Sequence, residues 1–295
     1  MSSIDREAFA DVPNPLGMEG IEFIEYVTSR PQAFGQLLET LGFRPVGRHR
    51  SREVLLYRQG DMNIVINAHV STLPRAAQPS ETPVIAAIAL RVRDAASAYR
   101  RALDRGAWAV PTQVEVMELN IPAVHGVGAT RIYFVDRYKE FSIYDVDFIK
   151  IPAADPQPSA VAGMHWFGIV QYIGNERTAD WTEFYRELFG FAPLPSDAHF
   201  GVLPKGSIVQ SPCKSFYLQL IEPEPSVLDV EGDESLQRVA FGCPDVLAAA
   251  KALQAQGVEF VESQGVHTDN RGAITKSALG GVMFELVHHA APAQG

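Results

Sequence analysis

The sequence is nearly free of cysteine: Cys213 and Cys243 are the two among 295 residues. They form no CxxC pair, so neither a disulfide framework nor a zinc ribbon is expected. Cys213 follows a proline in a loop and Cys243 ends an apolar stretch, and both read as structural thiols. Long hydrophobic runs are missing as well. No segment approaches the roughly 18 to 20 uninterrupted apolar residues that a membrane span needs. The opening stretch MSSIDREAFADVPNPLG carries acids and no apolar core. It is expected to be a short mobile lead-in rather than a signal peptide, which makes the cytoplasm the expected compartment. Basic residues are in deficit, 25 Lys and Arg against 35 Asp and Glu for a formal net charge of −10. Phosphate backbones need a basic surface, so nucleic acid is excluded as a partner. There is no GxGxxG after a strand, no Walker loop and no GxSxG, and the lone GxG at Gly126 and Gly128 does not make a nucleotide site.

What is present is enough apolar residue, 46%, for one large or two ordinary domains, and an internal repeat. IALRVRDAASAYRRALDRGAWAV, from Ile88, and VAFGCPDVLAAAKALQAQGVEFV, from Val239, both read as apolar strand, Asp, Ala-rich helix, Gly and strand. Asp94 matches Asp245 and Gly106 matches Gly257, each Asp where a helix N-cap belongs and each Gly where a left-handed C-cap belongs. A second pair, FGQLLETLGFRPV from Phe34 and FYRELFGFAPLP from Phe184, gives amphipathic helices closed by Gly-Phe at Gly42 and Gly190. RPVGRHRS, REVLLYRQ and MNIVINAH read as short strands after the first of these helices, and SFYLQLIEP, from Ser215, is the clearest strand after the second.

Each repeat is therefore a βαβββ module, and two modules make a domain. The Pro- and Ala-rich segment IPAADPQPSAVAG, residues 151–163, is the natural linker. The expected fold is α+β, with two tandem domains over residues 14–152 and 160–290. Each is an open, cupped sheet barrel of two modules with helices outside and a face able to hold a metal and a small ligand.

The paired modules resemble the vicinal oxygen chelate superfamily (glyoxalase, bleomycin-resistance and extradiol dioxygenase proteins). The segments GMEGIEFIEY (17–26), LGFRPVGRHRSREVLLYRQGDMNIVIN (41–67), MELNIPAVHGVG (117–128) and SIYDVDF (142–148) resemble the 4-hydroxyphenylpyruvate dioxygenase family within it. That resemblance implies a structural first half and a second half holding Fe(II), or another divalent metal, on two His and one carboxylate. Three open positions would take a 2-oxo acid and O2, in aromatic amino acid catabolism such as tyrosine degradation. The implied partners are a small anionic or aromatic substrate and O2, and a homo-oligomer is left open.

Carried onto this chain, the resemblance places metal ligands at His165, in GMHWFGIV, and Glu285, in GVMFELVHH. The position of the second His is occupied by Arg238, in LQRVAF, which cannot ligate a metal because its guanidinium stays protonated. Gln219, in SFYLQLIE, is the expected third ligand, and the loop residues His267 and His199 are alternatives that also read as exposed. His288 and His289 read as surface residues. Arg238 and Lys276 are the expected catalytic, anion-holding pair, joined by Thr275 and Phe284 around the substrate. The function the resemblance implies is a 4-hydroxyphenylpyruvate dioxygenase-like non-haem iron oxygenase on an aromatic 2-oxo acid or related small anion; the alternatives are a lyase or isomerase on the same scaffold and a metal-free binding protein in which Arg238 and Glu285 pair. The resemblance also implies a capping helix after the Glu, whereas this sequence continues for ten residues past Glu285.

Overall fold

The structure, a computed structural model, describes residues 13–69, 80–111, 118–202, 206–222 and 234–290. Most of the expected N-terminal lead-in lies outside the described residues.

The first module runs β1 (Met18–Val27), α1 (Pro31–Thr40), β2 (Arg44–His49), β3 (Val54–Gln59) and β4 (Met62–Asn67). The second runs β5 (Val84–Val92), α2 (Ala95–Asp104), β6 (Ala123–His125) and β7 (Arg131–Val135), followed by α3 (Ile143–Asp147) and β8 (Phe148–Lys150). These strands form one eight-stranded sheet in the order β6-β7-β5-β1-β4-β3-β2-β8. The second half repeats the plan with β9 (His165–Tyr172), α4 (Thr178–Phe189), β10 (Ala192–Pro193), β11 (Ser207–Gln210) and β12 (Tyr217–Ile221). Its other module is β13 (Ser235–Cys243), α5 (Val246–Gln254), β14 (Gly272–Ile274) and β15 (Phe284–His288), giving a seven-stranded sheet in the order β10-β11-β12-β9-β13-β15-β14. In both sheets the leading strands of the two modules meet antiparallel, β1 with β5 and β9 with β13. Each leading strand also pairs in parallel with the last strand of its own module. The fold is thus α+β in two tandem sheets.

Local chemistry explains the repeated helices. Asp94 accepts a hydrogen bond from the Ser97 amide and Asp245 from that of Ala248, each satisfying a donor that the first helical turn leaves open. Past the far ends, Gly106 and Gly257 adopt φ of +94° and +95°. That left-handed turn lets Ala107 donate back to Ala102 and Val258 back to Leu253, closing the helices.

Alternation along the strands sorts side chains onto two faces. Ile24, Tyr26, Ile64, Ile66, Ile88, Leu90 and Phe134 share a core with Val239, Phe241, Phe284 and Leu286 of the second sheet. Ring pairs Tyr26–Phe284, Phe43–Phe241 and Phe134–Phe189, at 6.4, 5.8 and 6.4 Å, tie the halves together. The intervening strand residues face the opposite way and line one cup per sheet. The linker is held rather than loose: Gln59 accepts from Val161, Gly60 donates to Pro158, and Arg58 donates to Pro156.

Candidate functional site

The second cup was expected to carry the chemistry, and its floor is set by strand register. Glu285 of β15 lies beside Ala240 of β13, and Ala240 lies opposite Gly168 of β9. Arg238, two residues before Ala240, therefore shares its face with Glu285. The two side chains meet: Arg238 Nε donates to Glu285 Oε2 at 3.1 Å, with both side chains almost fully buried, at 2% and 3% exposed. The Val202 amide also donates to the Glu285 carboxylate. Burial raises the Glu285 pKa, while Arg238 and the Val202 amide pull it back. Gly201 passes so close that a Cβ there would sit 2.1 Å from Glu285 Oε1.

The register sets His165 farther along the sheet than Glu285. His165 stands opposite Gly242, two positions beyond the residue beside Glu285. At about 3.3 Å per residue and 4.8 Å between strands, the two Cα atoms are on the order of 10 Å apart. Level with Glu285, β9 presents Gly168, which has no side chain. The His165 ring turns to the rim instead. Its Nδ1 lies 3.1 Å from the Gly163 carbonyl and its Nε2 lies 3.0 Å from His289 Nδ1. A carbonyl can only accept, so the Nδ1 contact needs a proton on Nδ1, and in that neutral tautomer Nε2 accepts from His289 Nδ1. His289 was expected at the surface but is half-buried, and burial with the neighbouring His165 and His288 lowers its pKa.

The remaining expected residues separate. Gln219, in β12, lines the same residual space as Glu285. Phe284 points away from the cup and stacks on Phe241 at 5.7 Å in the shared core, as strand alternation requires of the neighbour of Glu285. Thr275 is spent on the backbone, its Oγ1 accepting from the Phe284 amide at 2.9 Å. Lys276 does not join Arg238: its flexible chain runs to solvent and Nζ bonds Glu259 Oε2 at 2.7 Å on the surface. His199, His267 and His288 are exposed.

Phe167, Phe200 and Tyr217 fill what remains of the cup, with centroids 4.8 to 5.0 Å apart. The space left there is about 20 Å³, room for about one water. A two-His, one-carboxylate metal site does not fit these residues. The carboxylate is held by a guanidinium, the His is displaced along its strand, and among the described residues no three His, Cys, Asp or Glu side chains converge. The loop carrying Phe200, Gly201 and Val202 was not anticipated, because no periodicity in HFGV marks it as a plug.

The first cup is built otherwise. It holds an open cavity of about 320 Å³ whose walls include Glu22, Arg58, Asn63, Arg91 and Tyr144. Glu22, 1% exposed, accepts from Arg91 Nε at 2.5 Å and from Asn63 Nδ2 at 3.3 Å. Deeper in the same sheet, Glu25 accepts from Asn67 Nδ2 at 2.7 Å, and burial raises its pKa despite Asn67, Arg131 and Arg52. Sequence reasoning missed this group because the resemblance marks the first half as structural. The signal that could have found it is acid at Glu22 and Glu25 inside the apolar run IEFIEYV.

Comparison with known proteins agrees with this architecture. Residues 12–149 match the family "Hydroxyphenylpyruvate dioxygenase, HPPD, N-terminal", and residues 166–286 match the "Glyoxalase/Bleomycin resistance protein/Dioxygenase superfamily". The chain is 32% identical over 275 residues to Hemolysin VllY of Vibrio vulnificus, covering 88% of this chain and 76% of that protein. It is 31% identical over 261 residues to a 4-hydroxyphenylpyruvate dioxygenase of a Pseudomonas species, covering 84% and 72%. Among solved structures it superposes with a TM-score of 0.72 and 25% identity on a xylose isomerase-like TIM barrel/4-hydroxyphenylpyruvate dioxygenase fusion protein. That superposition covers 94% of this chain and half of the fusion. Two tandem cupped sheets, matched in both halves and at these identities, mean that the chain belongs to the 4-hydroxyphenylpyruvate dioxygenase-like family of the vicinal oxygen chelate superfamily.

Proposed function

We propose that this protein is a diverged, metal-free small-molecule-binding member of its family, in which the guanidinium of Arg238 stands where relatives of the dioxygenase type would hold a metal. The observation that carries the reading is the buried Arg238–Glu285 pair at 3.1 Å. A divalent cation and an arginine compete for one carboxylate. The arginine is covalently attached, permanently charged and already desolvated, so the metal would have to displace it and leave it unpaired at a cost of several kcal/mol. Filling of the cup by Phe167, Phe200 and Tyr217 acts in the same direction, since it removes the volume an aromatic 2-oxo acid would need.

The test is metal content. Untagged protein reconstituted anaerobically with Fe(II) is expected to retain no iron at micromolar concentration and to consume no O2 with 4-hydroxyphenylpyruvate. Stoichiometric iron lost on Glu285→Gln, together with O2 uptake, would establish instead the iron oxygenase that the family relationship favours. Product formation without O2 uptake would point to a lyase or isomerase.

A further inference from the structure

We propose that the ligand site of this protein is the first cup, and that it takes a small organic anion: a monocarboxylate carrying a flat apolar group, anchored by Arg58. The proposal rests on the metal-free reading only in looking for the ligand outside the second cup.

Three observations converge. The first is volume. The cavity of about 320 Å³ lies within the roughly 300 to 1,000 Å³ of small-molecule sites. The second is charge. Four cations line it, Arg58, Arg91, Lys139 and Lys150, against three carboxylates, Glu22, Asp61 and Asp145. The carboxylates are engaged: Glu22 bonds Arg91, Asp145 lies 3.8 Å from Lys150, and Asp61 lies in the field of Arg91. Arg58 bonds only neutral acceptors, the side-chain oxygen of Asn63 at 2.7 Å and the Pro156 carbonyl at 2.8 Å. A half-buried guanidinium without a carboxylate within ion-pair distance leaves donors for an incoming anion, in the fork geometry that suits a carboxylate.

The third observation is the shape of the walls. Arg58 lies over the Tyr144 ring at 5.3 Å, Arg91 over that of Tyr138 at 5.4 Å, and Phe148 packs edge-on against Tyr144. These rings line the cavity beside the charge. The Tyr144 hydroxyl is buried beside the Glu22 carboxylate. A built polar wall with a buried hydroxyl and a guanidinium that, among the described residues, has no carboxylate within ion-pair distance, next to aromatic rings, is the pattern of a recognition site rather than a packing defect.

The experiment is calorimetric titration of the full chain, iron-free, with 4-hydroxyphenylacetate as the anionic probe and 4-hydroxyphenylacetamide as its neutral counterpart. The anion is expected to bind and the amide to bind at least about tenfold more weakly, since a charge-assisted contact is lost. Arg58→Met should weaken the anion roughly 10- to 100-fold, and Arg58→Lys by less, with thermal melts confirming that both variants fold. Gly47→Val is the independent check. It keeps every charge but places bulk on the cavity wall, where a Cβ would lie 3.4 Å from Phe148, and it too should block the probe. No binding by the folded, iron-free protein overturns the inference and leaves the metal-free reading standing. Binding unaffected by Arg58→Met and Gly47→Val overturns the inference by placing the site elsewhere. Binding only after iron loading, unaffected by either variant, overturns both.

Discussion

The two cups share a plan and differ in what fills them. In the second, an ion pair and three aromatic rings leave about 20 Å³; in the first, the same strand arrangement leaves open about 320 Å³. The residue level with the centre of each cup shows why. Glu285 on β15, beside Ala240, is matched in the first sheet by Tyr133 on β7, beside Ala89. The second cup places a carboxylate there and answers it with Arg238 from the next strand. The first places a phenol there and keeps its acids, Glu22 and Glu25, on β1. A shared backbone thus supports a closed electrostatic plug in one half and an open polar cavity in the other. Fold-level kinship alone does not say which half binds.

Breaking the plug tests this contrast most severely. Arg238→Met or Glu285→Leu alone strands a buried charge and should cost about 3 to 5 kcal/mol in urea denaturation. The double variant should lose far less than the sum of the two, because neither charge is then orphaned. Additive losses would mean that the pair is not the unit described here.

Gly201 sharpens the same point at smaller scale. It holds φ +65° with Glu285 against it, so Gly201→Ala should cost roughly 2 kcal/mol and lower Tm. An unchanged Tm would show that the Phe200 loop does not hold the second cup closed.

The smallest effect belongs to the first sheet. Burial raises the pKa of Glu25 in the folded protein above its unfolded value, outweighing Asn67, Arg131 and Arg52. Folding therefore favours its protonated form. The stability it contributes is fully present below the unfolded pKa near 4.5 and is lost as pH rises through the folded value. Glu25→Gln, which keeps an acceptor for Asn67, should be more stable than the parent near pH 7, with the gain vanishing toward pH 4.5. A gain independent of pH would assign the effect to packing instead.

Much of the scaffold was legible in the residues. Asp94 with Gly106 and Asp245 with Gly257 bracket their helices by local chemistry alone, and the strand around Leu218 and Leu220 shows in its alternation. The short strands β10, β11 and β14 were not legible, because two to four residues carry no period of their own and exist through their neighbours. The site was legible in part. Arg238 and Glu285 were recognisable as a charge pair because both interrupt apolar strands. The place of His165 was not, since irregular register between β9 and β13, after Leu236 and again after Ala240, decides which residue stands level with Glu285.

By itself the sequence determined the α+β repeat, its two halves and the placing of Arg238 and Glu285 inside apolar strands. These depend on contacts a few residues apart or on side-chain identity. Only the tertiary structure decided that Arg238 reaches Glu285, that His165 turns to His289 and that the first cup stays open around Arg58. Each of those is fixed by strand register and by loops arriving from distant parts of the chain, and no local pattern encodes either.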